Sequence, residues 1–337
     1  MNKTILLGHG SGGLMTSDLI RDLFLRYFNN NTLNKLSDSA ILHIEGASLA
    51  FTTDSFVVDP LFFPGGDIGK LAVCGTVNDL SVSGAKPLYL SAGFIIEEGF
   101  SMIELDRITA SMACEAELAG VQIVTGDTKV VKRGQCDKIF INTAGIGSIE
   151  EKNLLIAGGS LIQPGDQLLV NGFLGDHEMA ILSARENLAF EEAVLSDVAS
   201  LNKMIGSLLE AGIEIRFMRD ITRGGVATIL AEIASGRKFG IEIEEERIPI
   251  REQVKGLCEI YGFNPLYLAN EGKMLMITSK ESASGAIEIM KQFDTGRDAA
   301  IIGAISSLNP AKAVMKSVTG GTRLIDKLAG EQLPRIC

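Results

Sequence analysis

Short apolar runs alternate with stretches of helical periodicity along the whole chain. "TILL" reads as a strand, and "LMTSDLIRDLFLRYF" repeats apolar residues at helical spacing. "SLAFTTD" and "PLYLSAGFII" read as strands, with a glycine-dotted helix, "DIGKLAVCGTVNDLSVSGA", between them. "SMIELDRITASMACEAELAG" is a further helix, with Ser101 and Glu104 at capping-box spacing and Gly120 at its end. "VQIVTGD" and "KIFINTAGIGSI" follow as strands. The segment "EEKNLLIAGGSLIQPGDQLLV" then breaks the pattern with Gly-Gly and Pro-Gly-Asp. A second series begins with "DQLLVNGFL" and the helical "DHEMAILSAREN". It runs on through "ATILAEIASG", "GIEIEEE", "KMLMITS", "GAIEIMKQF" and "AAIIGAI". The pattern predicts two αβ domains, residues 1–155 and 156–328, with a flexible tail over 329–337.

The length, 337 residues, agrees with two cores of roughly 150 residues each. A net charge of −11 argues against nucleic acid and anionic membrane surfaces as partners. An anionic substrate must then be handled by metal ions, backbone N–H groups or a few placed cations. No apolar run reaches the ~20 residues of a membrane span. The start shows no secretory pattern, and the five cysteines include no C-x-x-C pair. The expected location is the reducing cytoplasm.

"GHGSGG" (Gly8 to Gly13) lies ahead of the first helix, where backbone N–H groups could receive phosphate. A tight turn explains the same glycines equally well. The aspartates carry more. Asp38 precedes a strand, Asp54 ends one, Asp79 stands beside Asn78 on a helix, Asp127 follows a strand, and Asp220 precedes a helix. Each alone could be a turn or cap residue. Gathered in one place they would repel unless a hard cation such as Mg²⁺ lay between them. "TGDTKVVKRG" sets Lys129 two residues after Asp127, and "YLANEGKMLM" puts Glu271 just before a strand.

In this order, "TTDSFVVDPLFFPGGDIGKLAVCGTVNDLSVSGAKPLYLS", "TGDTKV" and "RDITRGGVATILAEIA" resemble the ATP-using family typified by aminoimidazole ribonucleotide synthetase. With "GHGSGG" at one end and "PRIC" at the other, the resemblance covers the whole chain. It narrows to the branch that matures the metal centre of [NiFe]-hydrogenases. It implies an α+β fold of two domains, whose N-terminal sheets pair across a homodimer. It also implies that a carbamoyltransferase, HypF, loads a carbamoyl group onto Cys337. ATP then dehydrates this group to a thiocyanate, and the cyanide passes to an iron-carrying HypC–HypD complex.

By the same resemblance Asp38, Asp54, Asp79 and Asp127 hold Mg²⁺. His9, Gly10, Gly12, Gly13, Asn78, Asp220 and Arg223, with Asp54, Asp79 and Asp127, bind ATP. Glu271 is the base near Cys337, helped by Lys129. For His9 a solvated loop residue remains an equal reading, as does a helix-start residue for Arg223. The tail from Gly330 to Cys337 can sweep roughly 23–25 Å, pivoting at the glycine and stiffened by Pro334. Another member of the family, a small-molecule kinase or a purine-pathway synthetase, would share the ATP site and ignore Cys337. A nucleotide-switched carrier scaffold is a third reading. A lipid anchor does not fit, because a C-a-a-X box needs its cysteine fourth from the end.

Overall fold

A computed structural model describes residues 5–28, 30–188, 193–328 and 333–337. The N-terminal helix forms as α1 (Leu14–Leu19), a π turn (Ile20–Phe24) and α2 (Leu25–Phe28). Over Ile5–Leu7, the described part of "TILL", the expected strand does not form. Leu7–Gly10 is a 3-10 turn, and Ile5 and Leu7 stay exposed outside any sheet. An apolar run becomes a strand only where a neighbour takes up its backbone bonds.

The first half continues through β1 (Ala40–Ile44), β2 (Ala47–Phe56), the short ribbon β3 (Phe62–Phe63) and β4 (Gly66–Asp67), and α3 (Ile68–Val82). Then come β5 (Ala85–Glu97), α4 (Met102–Ala119), β6 (Gln122–Val131) and β7 (Ile139–Ile149). The five long strands are ordered β1-β2-β7-β5-β6, with only the β5–β6 pair parallel. Asp67 starts α3 by accepting from Gly69 N at 2.7 Å and Lys70 N at 3.1 Å. Ser101 caps α4, and Gly120 ends it at φ 72°. Both helices lie on the inner face of the sheet. The outer face is left exposed, and carries Phe51, Tyr89, Ile95 and Ile146.

The second half contains β8 (Gln167–Val170), α5 (Asp176–Arg185), α6 (Asn202–Glu210), β9 (Ile215–Asp220), α7 (Gly225–Ala234) and β10 (Gly240–Glu244). It closes with α8 (Glu252–Tyr261), β11 (Met274–Thr278), α9 (Ala283–Met290), β12 (Ala300–Ser306), β13 (Ala313–Lys316) and β14 (Thr322–Ile325). The sheet order is β14-β13-β10-β12-β8-β11-β9. In the central strands β8 and β11, Leu168–Val170 and Met274–Ile277 are unbroken apolar runs because both faces are covered. Leu168, Val170, Leu275 and Ile277 join the core under α7, and Leu169, Met274 and Met276 the core under α6 and α9.

The two halves interlock. Val82 of α3 packs into the core under α6, and Leu14 N donates to Leu328 O at 3.0 Å. Leu333–Cys337 return to the first half, where Val57 N donates to Cys337 O at 2.9 Å. Ile336 and Cys337 join that half's core. The pivot expected at Gly330 lies outside the described residues. Among the described residues, no helix is long and apolar enough to cross a membrane.

Candidate active site

Four carboxylates meet where β2, α3 and β9 converge. Asp54 lies near the end of β2, Asp79 in α3, Asp38 just ahead of β1 and Asp220 at the end of β9. Gly75 lets α3 approach β2. A Cβ there would stand 2.9 Å from the Phe56 ring and 3.6 Å from Asp54 Oδ2. Thr52 Oγ1 donates to Asp79 Oδ2 at 2.6 Å, and Arg219 Nε pairs with Asp38 Oδ1 at 3.1 Å.

Burial pushes all four carboxyls above their ordinary range, Asp79 and Asp220 well above it. Their negative neighbours raise Asp54, Asp79 and Asp220 further, while Arg219 opposes this at Asp38 and Arg223 at Asp54. Such a set is stable only with protons or a cation among its oxygens. Among the described residues no three His, Cys, Asp or Glu groups stand close enough to hold an ion unaided. Mg²⁺ is commonly held by one or two carboxylates, with phosphate oxygens and water completing its shell. The cluster therefore fits an ion that arrives with a nucleotide.

Asp127 and Lys129 do not join this group within one chain. Both are exposed on β6, and Lys129 Nζ lies 2.9 Å from Asp127 Oδ2. Strands β7 and β5 separate β6 from β2. Three strand spacings put them roughly 14 Å apart. The expectation that Asp127 shares an ion with Asp54 and that Lys129 assists Glu271 fails within a single protomer. The cause is topological: β6 is the sheet's edge.

The glycine loop is shaped by close packing. Gly12 has φ +77°, and a Cβ there would lie 3.0 Å from Arg223 O; on Gly13 it would lie 2.5 Å from Leu328 O. Arg223 Nη1 donates to Gly10 O at 2.8 Å, tying the loop to the turn before α7. The His9 ring is engaged locally, accepting from Leu6 N at 3.0 Å through Nδ1. Asn78 is turned to another use than a nucleotide ligand. Its Nδ2 donates to Ala199 O at 3.0 Å and Glu271 O at 3.3 Å, and its Oδ1 accepts from Leu201 N at 2.8 Å.

Glu271 is 4% exposed, and its Oε1 has no hydrogen-bond partner among the described residues. Asp197 fixes the loop by accepting from Glu271 N at 3.1 Å and Gly272 N at 3.3 Å, and Lys273 neutralises Asp197 at 3.1 Å. Burial pushes the Glu271 carboxyl well above its ordinary range; Asp220, Asp197 and Asp54 add to this and Arg223 opposes it. A buried carboxyl with a free oxygen and a raised pKa is suited to taking part in proton transfer.

Cys337 closes the site. Burial pushes its thiol up to about 12, Arg223 opposes this, and Glu271, Asp54 and Asp220 raise it. Beside it opens a cavity of about 190 Å³ lined by Gly10, Ser11, Glu178, Arg223 and Gly224. A thiol held neutral is no nucleophile here. Sequence reasoning missed His177 and Arg185, which hold the tail, and Asp197, which holds Glu271. Nothing distinguishes them locally from ordinary helix and loop residues.

Residues 36–149 match the family model for the AIR synthase related protein N-terminal domain, and residues 163–313 that for its C-terminal domain. The chain is 48% identical over 339 aligned positions to carbamoyl dehydratase HypE of Rhodobacter capsulatus, covering 100% of this chain and 99% of that protein. A crystal structure of a HypE–HypF complex superposes with TM-score 0.85 at 48% identity, covering 92% of this chain and 99% of that one. A HypE structure in complex with ATP gives TM-score 0.82 at 49% identity, covering 99% and 100%. The chain thus belongs to the AIR synthase-related family, within its branch of HypE carbamoyl dehydratases.

Proposed function

We propose that this chain uses ATP to dehydrate an S-carbamoyl group carried on its own Cys337, supplying cyanide ligands for the iron of [NiFe]-hydrogenase. The observation that carries this reading is the burial of the Cys337 thiol beside Glu271, Arg223 and the carboxylate cluster. A kinase or synthetase acting on a free metabolite would leave that space for its substrate.

The oxygen of Cys337–S–C(=O)–NH2 takes the γ-phosphoryl group of ATP, releasing ADP. Phosphate then leaves as the nitrogen gives up its protons, and Cys337–S–C≡N remains. Phosphoryl transfer is governed mostly by positioning and charge neutralisation. Arg223, anchored on Gly10 O, faces both the tail and Asp54 and steadies negative charge at the transferring oxygen. Glu271 accepts the proton through its free Oε1. The loop of Gly10, Gly12 and Gly13, with His9, covers the phosphates. Asp38, Asp54, Asp79 and Asp220 would hold Mg²⁺, which when bound neutralises phosphate charge.

The exposed apolar face of the first sheet supports a homodimer formed through it. Asp127 and Lys129 enter the site only across that interface, from a second copy. HypF is the partner that loads the thiol, and a HypC–HypD complex receives the cyanide. The setting is cytoplasmic.

The test is intact mass of the carbamoylated protein with Mg-ATP. The expected result is the loss of one water at Cys337 with release of ADP. Carbamoylated protein that keeps its mass while ATP is present and bound overturns the reading.

A further inference from the structure

Every carbonyl of the last four residues meets a donor. Arg185 donates from Nη1 to Pro334 O and from Nη2 to Arg335 O, and its Nε donates to Asp59 O. His177 Nε2 donates to Ile336 O at 2.6 Å. Val57 N donates to Cys337 O at 2.9 Å, and Asp59 N to Arg335 O at 3.2 Å. The tail side chains add to the grip. Arg335 pairs with Asp137 and donates to Val57 O at 2.9 Å, while Ile336 sits in the core. Arg335 has φ +55°, the left-handed turn that sends the last two residues inward.

Two of these donors stand eight residues apart on α5, about two turns, and so face the tail together. His177 is fully buried and itself supported. Ser196 Oγ donates to its Nδ1 at 2.7 Å, and the Phe63 ring meets it edge-on at 5.5 Å. Accepting at Nδ1 fixes the neutral ring with its proton on Nε2, aimed at Ile336 O. Burial lowers the His177 pKa, which keeps that form. Neither residue lies in the carboxylate cluster.

We infer that His177 and Arg185 are positioning residues for the dehydration: they clamp the tail by its backbone carbonyls and set the fraction of time Cys337 spends in the cleft. This rests on the reading above for its role, though not for its geometry. Gripping the backbone suits a carrier whose tip changes chemically. Carbamoylation and dehydration alter the sulfur substituent and leave the carbonyls of residues 334–336 unchanged. The clamp therefore holds the loaded and the spent tail alike, and the tip alone reports which state it is in.

The experiment is alkylation of Cys337 by iodoacetamide in the unmodified full-length protein. It is followed by peptide mass mapping, since Cys114 is also exposed. Docked thiol is protected, so the rate reports the undocked fraction. Arg185→Ala and His177→Phe should each react roughly tenfold faster or more, the worth of a lost charged or buried hydrogen bond. His177→Gln, which keeps an N–H donor, should stay within about twofold of the parent rate. Asp137→Ala, a surface change that removes the ion pair to Arg335, should give a smaller rise and guards against variants that fail to fold. In carbamoylated protein, the double variant Arg185→Ala/His177→Phe should lose water more slowly at saturating ATP, with the half-saturating ATP concentration unchanged. Parent-like alkylation in Arg185→Ala and Asp137→Ala would overturn the inference. Faster alkylation in the variants, with no ATP-dependent water loss even in the parent, would instead overturn the proposed function and leave the clamp standing.

Discussion

Asn78→Ala separates a structural fastener from a nucleotide ligand. The side chain is 2% exposed and joins α3 to two loops of the second half through three hydrogen bonds of 2.8–3.3 Å. Removing it strands two carbonyls and one N–H in a dry interface. At about 1–1.5 kcal/mol for each neutral bond, the loss comes to about 3–4 kcal/mol. That is a large part of a typical total of about 5–15 kcal/mol. For 337 residues at about 2.1 cal/mol/K each, the unfolding entropy is about 0.7 kcal/mol/K, so Tm should fall by about 4–6 °C. Calorimetry and urea titration read the loss, and ATP titration of the folded variant reads the site. A fall in Tm with ATP affinity held within about threefold, under 1 kcal/mol of binding energy, is the expected pair. Parent-like stability with a sharp loss of ATP binding would refute the fastener and restore Asn78 as a ligand.

Glu271→Gln should leave carbamoylated protein unconverted, with turnover down by roughly 10²–10⁴; normal turnover removes Glu271 from the mechanism. The same variant should change stability against pH. The folded pKa of Glu271 is raised, so its favourable contribution is complete below the unfolded value and is lost as pH rises through the folded one. The glutamine variant should therefore gain most over the parent in alkaline buffer, and an equal difference at pH 5 and pH 8 contradicts the burial argument. Mixing inactive Lys129→Ala and Glu271→Gln proteins should restore about a quarter of parent activity, since half the dimers are mixed and each has one intact site; no recovery means Lys129 does not act across the interface. Gly272→Ala places a Cβ 2.0 Å from Asp197 O, so it should slow water loss and lower Tm together. An unchanged rate would free the Glu271 loop from Asp197.

Some of this was legible in the sequence, and the reasons differ by element. The ends of α4 were readable because Ser101 and Gly120 act on their own helix. Strand β9 was not, since "IRFMRD" interleaves charges with a short apolar pattern and gains its place by pairing with β11. Asp54 and Asp127 look alike in sequence, each late in an apolar run. They part company because β5 pairs with both β6 and β7, an order no local pattern encodes. Glu271 emerged only through family resemblance, one carboxylate among 42 acidic residues. His177 and Arg185 left no trace because their partners are backbone carbonyls some 150 residues away, and a carbonyl has no residue type.

The segment from Ser196 to Leu201 binds these parts together. Ser196 supports the tail-gripping His177, Asp197 holds the backbone of Glu271, and Ala199 and Leu201 meet Asn78 of α3. Tail, base and domain interface thus share six consecutive residues, and a shift of that segment moves all three. Equilibrium coupling is reciprocal. If a docked tail steadies the segment and through it the α3 contact, loosening that contact must weaken tail docking by the same factor. Asn78→Ala should therefore raise the alkylation rate of Cys337 even though Asn78 touches no tail residue. The undocked tail should in turn lower the protection of the Leu201 amide against hydrogen exchange.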